Sequence, residues 1–427
     1  MGSECQFCFS NYDGTENNGT GKPPKNQCGT ISEVKALRKL ENQSNKMNSP
    51  TVKNTSERSS SKRIVPRLFL LLTILTIMIL IVLPKLANWA LDFGIAPEFL
   101  NRFLSLLSIA QNLLIQILCA AWIFFLGGCF ASFLNVVAWR VPRGGSITGS
   151  SHCPDCQQRL PFRDNLPVIG WLGNGGRCSN CQLRIPVRYL LVEIFLGALF
   201  LLITAVQVLS GGSNLPLRQI GRLKGFENLI LFPQLDLICL TVFHLILICL
   251  LFTFTIIKSE TLKIPRKVWL VGLVLGLLLP LIWPSLTLVG WEFGQREFKT
   301  MARGSSSQLL TLGLGLVTGT ALGLLLQYWR PAPEPEHPYV FQGTYIGEEV
   351  AALSLIGLFL GWQSALSVFL FAVPLILVAF LSRLKWKLFS PSGCIFFATL
   401  IHLFCWRLST SCHYWPSGRS DWLGWIF

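Results

Sequence analysis

Four cysteines stand in two pairs of fixed spacing, Cys153 with Cys156 and Cys178 with Cys181. Each pair is a Cys-x-x-Cys knuckle whose intervening residues, Pro154 and Asp155 or Ser179 and Asn180, favour turns. Four thiolates in two knuckles match the ligand set of tetrahedral zinc, because each knuckle wraps one edge of the tetrahedron. Disulfide bridging is the competing reading, and the redox compartment of the segment decides between them. A second set of candidates is polar side chains inside apolar runs: Glu193, Asp236, His244, His402 and Gln363. Ionisable groups in such places are functional by default, although a histidine there is more often a satisfied core residue. Cys5, Cys8 and Cys28 form an incomplete ligand set. The serines show no Gly-x-Ser-x-Gly context with a nearby His and Asp, which gives a serine hydrolase no support.

The elements that must position these groups are membrane helices. The 427-residue chain is 51% hydrophobic and only 13% charged, which excludes an ordinary soluble domain. Apolar runs of spanning length lie near 68–84, 111–138, 189–209, 236–257, 268–290, 308–328, 350–381 and 392–406. The 350–381 run is too long for one span and is nicked at Gly361, Trp362 and Gln363, which predicts two short or tilted helices. The loop 139–188 carries seven arginines against Asp155 and Asp164, so the positive-inside rule places it in the cytoplasm. Continued alternation puts Lys258, Lys263, Arg266 and Lys267 on the same side. A reducing compartment favours zinc over disulfides. The net charge of +15 then reads as orientation and contact with the lipid bilayer. The arginines form no groove with interleaved aromatics, so no nucleic-acid partner is expected.

The expected fold is all-α: a polytopic integral membrane protein of about eight or nine spans with a small cytoplasmic zinc-knuckle insert. Residues 1–63 are polar and expected to be a disordered cytoplasmic tail. Residues 64–110 give an extra span and an external loop, 111–209 an amino-terminal domain holding the insert at 139–188, 236–407 a second membrane domain, and 408–427 a tail. The glycines from Gly313 to Gly319 read as helix packing by small residues. No internal repeat is evident.

The flanks of the cysteines carry a resemblance. The stretch from Gly128 to Pro142 reads GCFASFLNVVAWRVP, and 164–172 reads DNLPVIGWL. Residues 185–193 read IPVRYLLVE. In this order, around two Cys-x-x-Cys pairs, they resemble the amino-terminal half of the prepilin peptidases, membrane aspartic peptidases that process type IV pilins and type II secretion pseudopilins. That family shows GSFLNVVxxRxP, CPxC, RCxxC and IxxRYPLVE. Here Ala131 replaces a glycine and Leu190 a proline. The resemblance implies an inner-membrane location and prepilin or pseudopilin substrates, whose basic leader is cut from an apolar helix. It also implies N-methylation of the product, with S-adenosylmethionine as donor, in many members.

By the same resemblance, catalysis belongs to two aspartates, one opening D-x-D-x-x-x-x-P and one ending GxGD. Aligned through Pro265, the first falls on Lys258, and the second acidic position of that motif on Glu260. Counted back from Gly361 and Trp362, the GxGD aspartate falls on Glu349, in Ile346-Gly-Glu-Glu349. No aspartate lies between Asp236 and Asp421. Glu349 keeps a carboxylate, one methylene longer. Glu260 could join it only if the backbone is unwound there, since two residues along a helix is the opposite face. The expectation weighed against catalysis is an ion pair of Lys258 with Glu349, in an inactive member that binds pilin-like helices or assembly proteins. A structural zinc-containing membrane protein is a further alternative.

Overall fold

Where the chain leaves water, its backbone amides and carbonyls must be paired internally, and helices do this locally. The computed structural model describes residues 98–153, 156–216, 225–226, 233–260, 262–289, 305–329, 345–381 and 390–407, all within the compact unit 87–427. Its helices are α1 (Glu98–Arg140), α2 (Ile169–Gly173), α3 (Val187–Thr204) and α4 (Leu235–Ser259). They continue with α5 (Arg266–Ile282), α6 (Ser305–Trp329), α7 (Glu348–Leu360), α8 (Trp362–Leu381) and α9 (Pro391–Phe404). Five described helices are long and apolar enough to cross a membrane: α1, α3 with its following turn, α4, α6 and α8. The tail 1–63 with Cys5, Cys8 and Cys28, the run 68–84 and the tail 408–427 lie outside the described residues.

Several boundaries differ from the hydropathy reading. Residues 98–110, expected within an external loop, are helical and continuous with α1. The run 268–290 ends as α-helix at Ile282, where Pro284 opens a 3-10 turn and offers no amide hydrogen. The 350–381 run is two helices, α7 and α8, parted at Gly361, whose φ of 92° favours glycine. Leaving α3, residues Ala205–Leu209 form a π-helical turn. This turn brings Gln207 Oε1 within 2.9 Å of His244 Nδ1.

Small residues let two helix pairs approach closely. A Cβ on Gly127 of α1 would stand 2.8 Å from the Phe200 ring and 2.9 Å from the Gly197 backbone of α3. On α6, a Cβ at Gly319 would collide with the Leu353 carbonyl of α7. The expected packing role of this glycine stretch is therefore observed, and it seats α7. A two-residue antiparallel bridge, Ile264–Pro265 with Tyr345–Ile346, then ties the start of α5 to the start of α7. The two motif frames at Pro265 and Gly347 thus meet at one end of the bundle.

Candidate functional site

The first candidate centre is the cysteine cluster. Each knuckle closes in the same way: the Cys153 amide donates to Gln158 O at 3.0 Å, and the Cys178 amide to Leu183 O at 2.9 Å. Gln157 and Gln182, each following the second cysteine, take left-handed φ of 55° and 59°. Isolated bridges pair His152 with Arg159 and Arg177 with Arg184. The repeat Cys-x-x-Cys-Gln-x-Arg-x-Pro therefore occurs twice, from Cys153 and from Cys178, which corrects the reading that the chain holds no internal repeat.

The hairpins bring the sulfurs of Cys153, Cys156, Cys178 and Cys181 within 4.8 Å of one another. All four are free thiols, and Cys153 Sγ lies 3.6 Å from Cys181 Sγ. That is too long for a disulfide and close to the roughly 3.8 Å edge of a tetrahedron with metal–sulfur bonds of about 2.3 Å. Hydrogen bonds from the Gln158 amide, and also the Asn180 side chain, bring the Cys156 thiol down to about 7. The Cys181 and Asn180 amides lower Cys178. The Leu183 amide pulls Cys181 down, yet burial and the three neighbouring sulfurs push it up to about 12. Four sulfurs so close cannot all ionise unless a cation joins them, so these donors fit one metal ion.

A side chain outside the cluster anchors the connecting loop. Val168 has a φ of 62°, an outlying conformation for a β-branched residue. Its amide donates to Glu193 Oε2 of α3 at 2.7 Å. Glu193, noted in sequence as an ionisable group in a span, thus holds the loop to the helix. Glu193→Ala should lower stability by about 1–3 kcal/mol, the cost of stranding a part-buried amide, whereas Glu193→Gln keeps an acceptor and should lose less. Thermal unfolding of the two variants in one detergent checks this.

The second centre is the charged cluster where α3, α4, α7 and α9 meet. Lys258, in the last turn of α4, reaches Glu348 at 3.5 Å. The expected partner was Glu349; the observed one is its neighbour, because adjacent residues point about 100° apart around a helix. Glu348 Oε2 also accepts the Ser392 amide at 3.2 Å, in the first turn of α9, where amides lack helical partners. Glu348 and Glu349 are both buried, at 4% and 2% exposure. Glu260 follows the end of α4, so the backbone does leave the helix there. Its carboxylate is engaged by Arg188, at the start of α3.

Two charge pairs, Lys258 with Glu348 and Arg188 with Glu260, therefore stand at one end of the bundle, and buried Glu349 follows Glu348 in the first turn of α7. Sequence reasoning gave no role to Glu348, Arg188 or Ser392. The signal for Glu348 was a charge standing where the family pattern has a glycine. His244 and His402 are fully buried around Trp406, as core histidines. Asp236 lies in the first turn of α4 and Gln363 in the first turn of α8, both away from these charge pairs in the chain.

Residues 125–207 match the bacterial peptidase A24 N-terminal domain. A prepilin leader peptidase/N-methyltransferase of Myxococcus xanthus is 43% identical over 84 residues, covering 19% of this chain and 25% of the relative. A type 4 prepilin-like proteins leader peptide-processing enzyme of Escherichia coli is 39% identical over 104 residues, 20% of this chain and 39% of the relative. A prepilin leader peptidase/N-methyltransferase of Pectobacterium carotovorum is 28% identical over 283 residues, 61% of this chain and 78% of the relative. The chain spans a quarter of the first of these relatives and well under half of the second. No solved structure matches it. The amino-terminal part thus resembles prepilin peptidases, with the four-cysteine cluster in place, on an all-α, multi-pass membrane protein.

Proposed function

We propose that this chain is a prepilin-peptidase-like protein of the inner membrane that receives prepilin-class chains and holds them without cutting. Such chains carry a basic leader ahead of an apolar helix. The observation that carries this reading is the Lys258–Glu348 pair, at a position where the resemblance calls for a catalytic aspartate. Paired carboxylates hydrolyse peptides by sharing acid and base roles. A lysine ammonium has no acceptor for the water proton, and Glu260 is engaged by Arg188. Seven arginines in 139–188 favour a cytoplasmic insert. The Arg188–Glu260 contact supports the same side for the end of α4.

The four-cysteine donor set suits zinc, which takes four thiolates in closed structural sites. When bound, the ion would be held by Cys153, Cys156, Cys178 and Cys181 and would fix the two hairpins together. A methyl donor finds less support. The depression beside the knuckles, about 410 Å³, is lined by Ser150, Ser151, Arg159, Phe162 and Asn165 among others, and by no carboxylate among the described residues. Its serines and Asn165 can hydrogen-bond a ribose diol, but no described lining residue carries a negative charge to offset a sulfonium, so the methyl donor is not assigned to this depression.

A second reading, peptidase activity through Glu349, is favoured by three glutamates at one end of the bundle. The longer side chain shifts the oxygens by about an ångström, which can cost on the order of 100-fold in rate. The deciding experiment presents a prepilin from the same genome to membranes holding this chain as the only peptidase. Photo-crosslinking of the leader without cleavage is the expected result. Cleavage that disappears in Glu349→Gln would replace this reading with the second, and absence of both crosslink and cleavage would remove both.

A further inference from the structure

The loop between the knuckles does not stay at the foot of the helices. A Cβ at Gly128 of α1 would meet the Pro167 side chain at 3.1 Å and the Glu193 carbonyl at 3.8 Å. Glu193, which holds the Val168 amide, stands six residues beyond the start of α3, about 9 Å along its axis. Gly128 stands twelve residues before the end of α1, about 18 Å. The apolar segment Val187–Leu209 has 23 residues, about 35 Å of helix, only slightly more than the hydrocarbon core of a bilayer. A membrane that covers this segment also covers the level of Pro167 and Val168.

From that level the chain turns into α2. Ile169 and Leu172, three residues apart and so on one face, are 59% and 60% exposed. The rest of α2 is tied down: the Trp171 indole donates to Ile185 O at 3.3 Å, and Gly170 is buried against the Asp164 backbone. On α3, Leu191 and Ile194 flank Glu193 and are exposed in the same way, at 58% and 39%. The apolar face of α2 thus stands at the level of the membrane-facing surface of α3.

We infer that residues 166–173 form a re-entrant segment, with α2 lying in the headgroup–acyl boundary and Ile169 and Leu172 against lipid chains. Irregular backbone is tolerated at such depth only where the protein satisfies it, and Glu193 satisfies Val168. Interfacial helices sit roughly 5–10 Å into the boundary, which is the depth that α3 gives. Arg163, which pairs with Asp164 at 3.3 Å yet keeps 81% of its side chain exposed, stands near the segment where anionic headgroups would meet it. The cysteine knuckles then rest on the bilayer through this segment, and in the proposed orientation the leaflet is the cytoplasmic one.

The test uses the full chain in nanodiscs containing phosphatidylglycerol and a phospholipid with a photoreactive diazirine near the top of its acyl chain. Adducts are mapped by mass spectrometry. The peptide holding Ile169 and Leu172 should carry adducts at a level comparable to Leu191 and Ile194, and several-fold above a peptide covering 157–160. Labelling of α3 with none above that control on α2 would overturn the inference. Crosslinking of Ile169 or Leu172 to a second copy of the chain, in place of lipid, would overturn it equally. Neither readout depends on whether prepilins bind.

Discussion

Cys178→Ser is expected to strip the purified chain of its metal, from one zinc per chain to a small residue, and to open the segment 139–188 to proteases. Apart from the stretch 166–173, which Glu193 and Ile185 anchor, the insert has little else to hold it. Its buried apolar side chains include Cys153 and Cys178 themselves, and α2 has only five residues. Zinc bound by four thiolates contributes roughly 10–16 kcal/mol in small metal-dependent folds, as large as the whole stability of an ordinary domain. The substitution removes one thiolate from a cluster whose sulfurs all lie within 4.8 Å. Elemental analysis and limited proteolysis of the same preparation read the two effects together. The membrane helices should survive, since α1 and α3 pack through Gly127, Gly197 and Phe200 rather than through the knuckles. Zinc retained by the variant, or zinc lost while 139–188 stays protected, would contradict a folding role for the metal.

What the sequence made legible was local. Cys-x-x-Cys fixes a knuckle within four residues, so the metal donors were readable before any fold was known. Gly361 was readable as a break because the run 350–381 is too long for one span and the polar Gln363 follows the glycine within two residues. Relations set by helix rotation were less accessible. Counting along a motif assigns Glu349, but the side chain that meets Lys258 depends on where α7 starts at Glu348. The π-helical turn at Ala205–Leu209 has no evident sequence signal, and it alone turns Gln207 towards His244. The doubled knuckle was missed because its identical positions are few, and only the matched hydrogen bonds and left-handed glutamines made it plain. The depth of Pro167 and Val168 was hidden for a different reason. A basic loop reads as wholly aqueous until the contact with Glu193 places part of it beside a membrane helix.

Lys258→Ala is expected to destabilise the protein by about 3 kcal/mol, at the lower end for breaking a buried ion pair, because the lysine side chain remains 23% exposed. The loss comes mainly from Glu348, which is 2% exposed in its side chain and would keep a buried charge without its ammonium partner while still accepting the Ser392 amide. Removing that charge as well should restore much of the stability. Glu348→Gln is the suitable second change, since an amide oxygen can still accept from Ser392, whereas Glu348→Ala would strand that donor at a further cost of about 1–3 kcal/mol. The double variant Lys258→Ala with Glu348→Gln should therefore be more stable than Lys258→Ala alone, a coupling that thermal unfolding of all four chains measures. Additive losses would mean that the pair holds no helix ends together. The parallel cycle with Glu349→Gln separates the two glutamates: coupling of Lys258 to Glu349 as strong as to Glu348 would contradict the observed geometry. If the Lys258–Glu348 pair carries the coupling, the site has exchanged hydrolytic carboxylates for a structural clasp between α4, α7 and α9.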